Sequence, residues 1–305
     1  MSKSDGSLRA VIFALGGNTL ISIIKYIVSF ITGSSAMLAE SIHSTADTMN
    51  QIFLLIGHKR SKMKPTEWHS FGFQKESFFW SLMVAILLFF IGSLFSFYEG
   101  IHKLIHPEPL KNVYWIFLVL FLSIIIEGKT FMVAYNEFRK KTKKKLYKAI
   151  EESTDTNLMV VLLEDFAALT GLVIVFITTL LSLVNPIFDA FGSIFVGILL
   201  VAISYKLANE IRKLIVGESI PRSDRNKIKQ IINDYSIVEH INRVQTMVIG
   251  NDKFLVLISI DIDNESTGYQ IEDTVDQIKF EIRKEIPEVE TIYIEIQDPN
   301  RSINS

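Results

Sequence analysis

Two residues able to bind a metal ion, His43 and Asp47, stand four apart in the apolar stretch from Ser34 to Ile56. Residues at i and i+4 share a helix face, so the imidazole and the carboxylate address the same space. Together they make half of a tetrahedral zinc-type shell. The stretch is long enough to cross a bilayer, where ionisable groups are costly and mark a pathway or a site. The bland alternative is a polar pair that glues two helices together. Asp165 is the natural partner, inside a second apolar stretch, Leu162-Leu-Glu-Asp165-Phe-Ala-Ala-Leu-Thr-Gly171. Neighbouring Glu164 points about 100° away from it. It is either a fourth ligand or the partner of Lys25 or of another helix. Glu40 and Asn50 share the His43–Asp47 face and read as groups that orient the ligands or line the approach.

These residues must be positioned by membrane helices. Half of the 305 residues are apolar, 49%, and they concentrate before about residue 208, giving a membrane half (1–208) and a soluble tail (209–305). At about 20 residues per span, six spans are expected, near 9–32, 36–57, 78–99, 113–136, 156–182 and 186–207. The apolar run after the short polar start is too long for a signal-peptide core and reads as a retained helix. The third and fourth spans are the plainest and are expected to face lipid. The first, second and fifth carry polar residues and are expected to face the bundle interior. Lys59, Arg60, Lys62 and Lys64 follow the second span. Arg139, Lys140, Lys141, Lys143, Lys144, Lys145 and Lys148 follow the fourth. By the positive-inside rule both termini are cytoplasmic, and topology suffices to explain the lysine run. The tail reads as αββαβ, a two-layer α+β domain: helices over Asp224–Tyr235 and Tyr269–Glu285, and strands over Arg243–Ile249, Phe254–Asp263 and Thr291–Ile296.

Several classes find no support. A net charge of −2 predicts no nucleic-acid partner, and the absence of cysteine removes disulfides and thiolate sites. Gly128-Lys-Thr130 ends like a phosphate loop, but Ser123 stands where the leading glycine is needed. No hydrolase motif is present, so the chain is not expected to be an enzyme or to need a cofactor.

The stretch Gly17-Asn18 through Lys25 and Gly33 to Asp47, the loop Pro65 to Phe78, and Leu214-Ile-Val-Gly217-Glu-Ser resemble the cation diffusion facilitator family of divalent metal transporters. Phe97 to Pro109, Leu162 to Asp165 and Asn185 to Asp189 resemble its branch containing zinc transporter nine. The resemblance covers essentially the whole chain. It implies a ferredoxin-like cytoplasmic tail, a homodimer, and a transport site carried over to His43, Asp47 and Asp165. The family's other ligand on the fifth span falls on Val161, which cannot ligate, so Glu164 becomes the candidate fourth ligand. Glu67 and His69 lie where some members hold a second metal, but a loop-packing or entrance role fits two ligands better. The tail positions that bind metal in some relatives fall here on Asn242, Ile258 and Ile296, with Asp298 alone still acidic, so no tail site is expected. His240 by itself reads as a solvated or capping residue.

The expected activity is efflux of a divalent metal, zinc above all, by proton-coupled antiport with alternating access. The proton coupling is an implication of the resemblance. Metal and protons would compete at one site, and histidine is the side chain best suited to carry a proton near neutral pH. Two other readings stay open: a membrane metal sensor or scaffold without transport, and a proton-driven importer of manganese, iron or cobalt. The expected location is a bacterial inner (plasma) membrane.

Overall fold

The computed structural model describes residues 3–141, 150 and 153–298. Lys143, Lys144, Lys145 and Lys148 lie outside them. Among the described residues, six long helices come first. Helix α1 spans Lys3–Thr32 and α2 Ser35–Ser61. A two-residue turn joins them, with Gly33 at φ 68°, where a side chain would be strained. Ser34 caps α2 by accepting from the Met37 N–H at 3.0 Å, and Lys59 and Arg60 place positive charge in its last turn.

Helix α3 runs Glu76–Ile105 through a π segment at Leu88–Ser93, α4 Tyr114–Lys141, α5 Thr156–Ser182 and α6 Ile187–Val216. Asp155 caps α5, accepting from Leu158 N–H at 3.2 Å. Asn157 thus falls in the first turn, where it costs a helix little. Gly217, at φ 111°, ends α6 in the left-handed conformation that helix C-termini favour.

Among the described residues, α3, α4, α5 and α6 are long and apolar enough to cross a membrane. The apolar part of α1, Asn18–Thr32, is shorter. Helix α2 matches α5 in length, 27 residues each, but carries Glu40, His43, Asp47 and Asn50. It sits centrally, packed on α1, α3, α5 and α6. Helix α4 lies at the periphery and turns Phe121, Leu122, Ile125 and Val133 outward, as its plain sequence predicts. The third span departs from expectation. Ser77, Ser81, Ser93 and Ser96 of α3 are all buried, and Ser193 of α6 donates to the Ser96 carbonyl at 2.8 Å. Small residues let the helices close up: Gly192 abuts Thr178 and Ala36, and Gly100 abuts Ile194.

The tail consists of α7 (Arg222–Asn233), β1 (Val238–Gly250), β2 (Lys253–Ile262), α8 (Gly268–Glu285) and β3 (Val289–Ile296). Strand β1 pairs antiparallel with β2 around an Asn251–Asp252 turn, and β3 pairs parallel with β2. A parallel partner needs a crossover, which α8 supplies. Strand β1 starts five residues before the expected Arg243, because Val238 to Asn242 also run along β2. Thr267 and Gln270 form a capping box at α8. Ile228, Ile232, Val256, Ile260, Ile278 and Ile282 fill the core between sheet and helices.

The hairpin tip of the tail meets the bundle at the start of α5. Asn251 Oδ1 accepts from Thr156 N–H (3.3 Å), Thr156 Oγ1 (2.9 Å) and Ser77 Oγ (3.3 Å). Asp252 Oδ1 accepts from Thr154 Oγ1 at 2.9 Å.

Candidate metal centre

The helical spacing of α2 brings His43 and Asp47 together, with Nδ1 and Oδ1 3.4 Å apart. The imidazole is 1% exposed, and neither of its nitrogens makes a hydrogen bond. Asp47 Oδ1 and Asp165 Oδ2 are likewise buried without a hydrogen-bond partner. Unsatisfied buried polar atoms are rare because each costs about 1–3 kcal/mol, so four in one neighbourhood need a reason.

Glu164 is buried. It accepts from Asn50 Nδ2 at 3.1 Å, and its carboxyl lies against that of Asp47. Two touching carboxyls are stable only with a proton or a cation between them. Asp165 stands in the wall of a cavity of about 960 Å³ that Asp47 and Glu164 also line, and no hydrogen bond links it to the other three. Among the described residues, no three His, Asp or Glu side chains already converge as a finished metal cage. Val161, one turn before Asp165, lines the same cavity, so the position that the resemblance matches to a ligand carries an apolar side chain in the cavity wall.

The cavity runs along α2 from Asp47 past Gln51 and Leu54 to His58, and is bordered at that end by Asp155, Asn157, Asn251 and Asp252. It therefore reaches the tail side of the bundle. Polar groups bond across the opposite end of the bundle. There Asp189 of α6, 0% exposed, accepts from Ser35 N–H (2.7 Å), Ser35 Oγ (3.0 Å) and Ser34 Oγ (2.5 Å). Lys103 of α3 donates to the Gly33 carbonyl at 2.7 Å.

Lys25 does not pair with Glu164. Its ammonium, 0% exposed, donates to Glu40 Oε1 (3.1 Å), Glu127 Oε1 (2.9 Å) and Ser44 Oγ (2.7 Å). Glu40 is thus turned away from the cavity toward α1. Glu127 is the acid that reading the sequence missed. Its only signal was a lone carboxylate in an apolar span, masked by the Gly128-Lys-Thr130 sequence beside it. That tripeptide lies within α4, with Thr130 Oγ1 bonded to the Glu127 carbonyl, and forms no loop. In the loop after α2, His69 packs on Phe73 with ring centres 4.3 Å apart and bridges Thr66. In the tail, Asn242 donates to the Gln297 carbonyl at 2.7 Å, Ile258 is buried and His240 is exposed.

An apolar helix bundle with a buried ionisable cluster beside a deep cavity, joined to a small α+β domain, is the architecture of a membrane protein that holds polar groups inside its bundle. The model of the cation efflux transmembrane domain matches residues 11–216, and that of the cation efflux protein cytoplasmic domain matches residues 220–298. The chain belongs to the cation efflux family. It is 32% identical over 288 residues to the mitochondrial proton-coupled zinc antiporter SLC30A9 of Xenopus laevis, covering 92% of this chain and 51% of that protein. It is 31% identical over 264 residues to metal tolerance protein C4 of Arabidopsis thaliana, covering 85% and 58%. Protein p34 of Rickettsia prowazekii is 28% identical over 290 residues, with 92% and 88% covered. The chain spans about half the length of its SLC30A9 relatives.

Proposed function

We propose that this chain exports a divalent metal ion, zinc above all, from the cytoplasm in exchange for protons, by alternating access. In this reading all six long helices span the membrane, the termini and tail are cytoplasmic, and two copies pair through the tail in a bacterial inner membrane. One observation carries it: His43, buried with both nitrogens unbonded, stands directly behind Asp47, which lines a cavity that Asp165 and Glu164 share. Imidazole plus carboxylates suits zinc. Metal requires these groups deprotonated, so a proton arriving from the far side displaces the ion, and one site serves both. The cavity's reach to the tail side and the Asp189 bonds across the opposite end support a state that loads from the cytoplasm. The names of the SLC30A9 relatives, proton-coupled zinc antiporters, favour zinc and protons over the other options.

The test is metal flux in sealed proteoliposomes over a panel of divalent ions, with and without a pH gradient. Asp47→Ala and Asp165→Ala should each abolish flux while inserting normally, because removing a buried charge does not hinder insertion. Near wild-type flux in both folded variants would remove the site. Saturable metal binding with no flux at all would favour a sensor.

A further inference from the structure

Helix α4 faces outward along most of its length, yet carries one acid at mid-depth. An acid there is expensive and needs a role. Pairing with Lys25 is the simplest one, but Glu40 already pairs with Lys25 at 3.1 Å. The two acids differ in what else they do. Each has an Oε2 without a hydrogen-bond partner, but Glu40 is 0% exposed and does not line the cavity, so its spare oxygen has no route to an ion there. The Glu127 side chain is 17% exposed and stands in the cavity wall with Asp47 and Asp165. Its Oε1 is held by Lys25 at 2.9 Å, while its Oε2 has no hydrogen-bond partner. Lys25 has spent all three of its N–H donors on Glu40, Ser44 and Glu127, so it cannot serve that second oxygen.

We propose that Glu127 is a further cation-contacting residue of this transporter: Lys25 anchors one carboxylate oxygen and the other meets the divalent ion in the cavity beside Asp47 and Asp165. The inference rests on the metal-export reading and supplies an oxygen that Val161 cannot. It also gives Lys25 a task beyond neutralisation, since a carboxylate fixed at one oxygen presents the other in a set direction.

The experiment is zinc uptake into proteoliposomes as a function of zinc concentration. Glu127→Gln should raise the KM for zinc about tenfold or more, the scale seen when a group supporting a metal is lost, with Vmax changed far less. Glu40→Gln removes the other Lys25 partner and should leave KM near wild type. Charge imbalance is removed in a second background, Lys25→Met with Glu40→Gln, in which Glu127 has no cation to serve. Adding Glu127→Gln there should raise KM again by a similar factor. If KM is unmoved by Glu127→Gln in both backgrounds, or if Glu40→Gln raises it equally, Glu127 is only a structural partner and the proposal falls. The export reading fails separately, on wild-type flux in Asp47→Ala and Asp165→Ala.

Discussion

Asparagine at position 189 should loosen the far end of the bundle without unfolding it. Asp189 accepts three hydrogen bonds, from one backbone N–H and two hydroxyls, at 2.5 to 3.0 Å. Hydrogen bonds to a charged group contribute about 1.5–3 kcal/mol, and neutral ones about 0.5–1.5. An amide keeps one oxygen for the Ser35 N–H, and Ser34 still caps α2 through Met37, so the helix start survives. The two hydroxyl contacts weaken by about 1 kcal/mol each, roughly 2 kcal/mol in total. If these contacts hold the far side shut, that loss raises the open population about thirtyfold, at 1.4 kcal/mol per factor of ten. The chain has no cysteine, so one introduced thiol is the only reactive one. Thr179 of α5 is 0% exposed near this end. Thr179→Cys should react slowly with a membrane-impermeant maleimide added from the far side, and about thirtyfold faster with Asp189→Asn. Equal labelling rates in two folded proteins of equal melting midpoint would refute the idea that Asp189 holds this end closed.

Two further outcomes follow from the geometry. Val161→His restores a ligand on the cavity wall one turn from Asp165. Zinc binding by calorimetry should tighten by about tenfold or more while turnover slows, because an ion held by one more bond leaves late; unchanged affinity would mean that position 161 does not reach the ion. Asn251→Ala strips three donors of one acceptor, including two on Thr156, which is 0% exposed. The cost of about 1–3 kcal/mol should appear as faster amide exchange over 153–158, with the sheet core unchanged; protection equal to wild type would show that the hairpin tip does not hold α5.

Local pattern was legible in the sequence, and pairing between helices was not. The 3.6-residue period placed His43 and Asp47 on one face, and the tail's order of elements follows from alternation and turn residues. Hydropathy falls near residue 207 and bounds the expected sixth span there, but says nothing of where the helix itself stops. The helix continues to Val216, since Glu210 bonded to Lys206 and Lys213, both at 2.6 Å, supports helix outside an apolar setting. Glu127 escaped notice because its partner Lys25 lies 102 residues away, and nothing in the spacing within either helix announces the other. The same holds for Asp189 and Ser34, 155 residues apart. Spacing within a helix fixes which face a side chain shares, while the helix opposite it is chosen by packing.

The Lys25–Glu40 bond also bears on how the bundle is built during synthesis. A lysine or an acid at mid-helix costs about 2.5–3.5 kcal/mol to insert alone, and α2 adds His43, Asp47 and Asn50 to its load. Helix α1 and helix α2 are joined by only Gly33 and Ser34, and the bond closes inside that hairpin, 15 residues apart in sequence. If both helices span the membrane, as proposed above, they can leave the translocon as one paired unit, each masking the other's charge. Lys25 then still has an N–H unspent until α4 emerges with Glu127, some hundred residues later. On that order of assembly the ammonium would act as a holding point for a half-built protein, and the last of its three bonds would mark the arrival of the helix that walls the cavity.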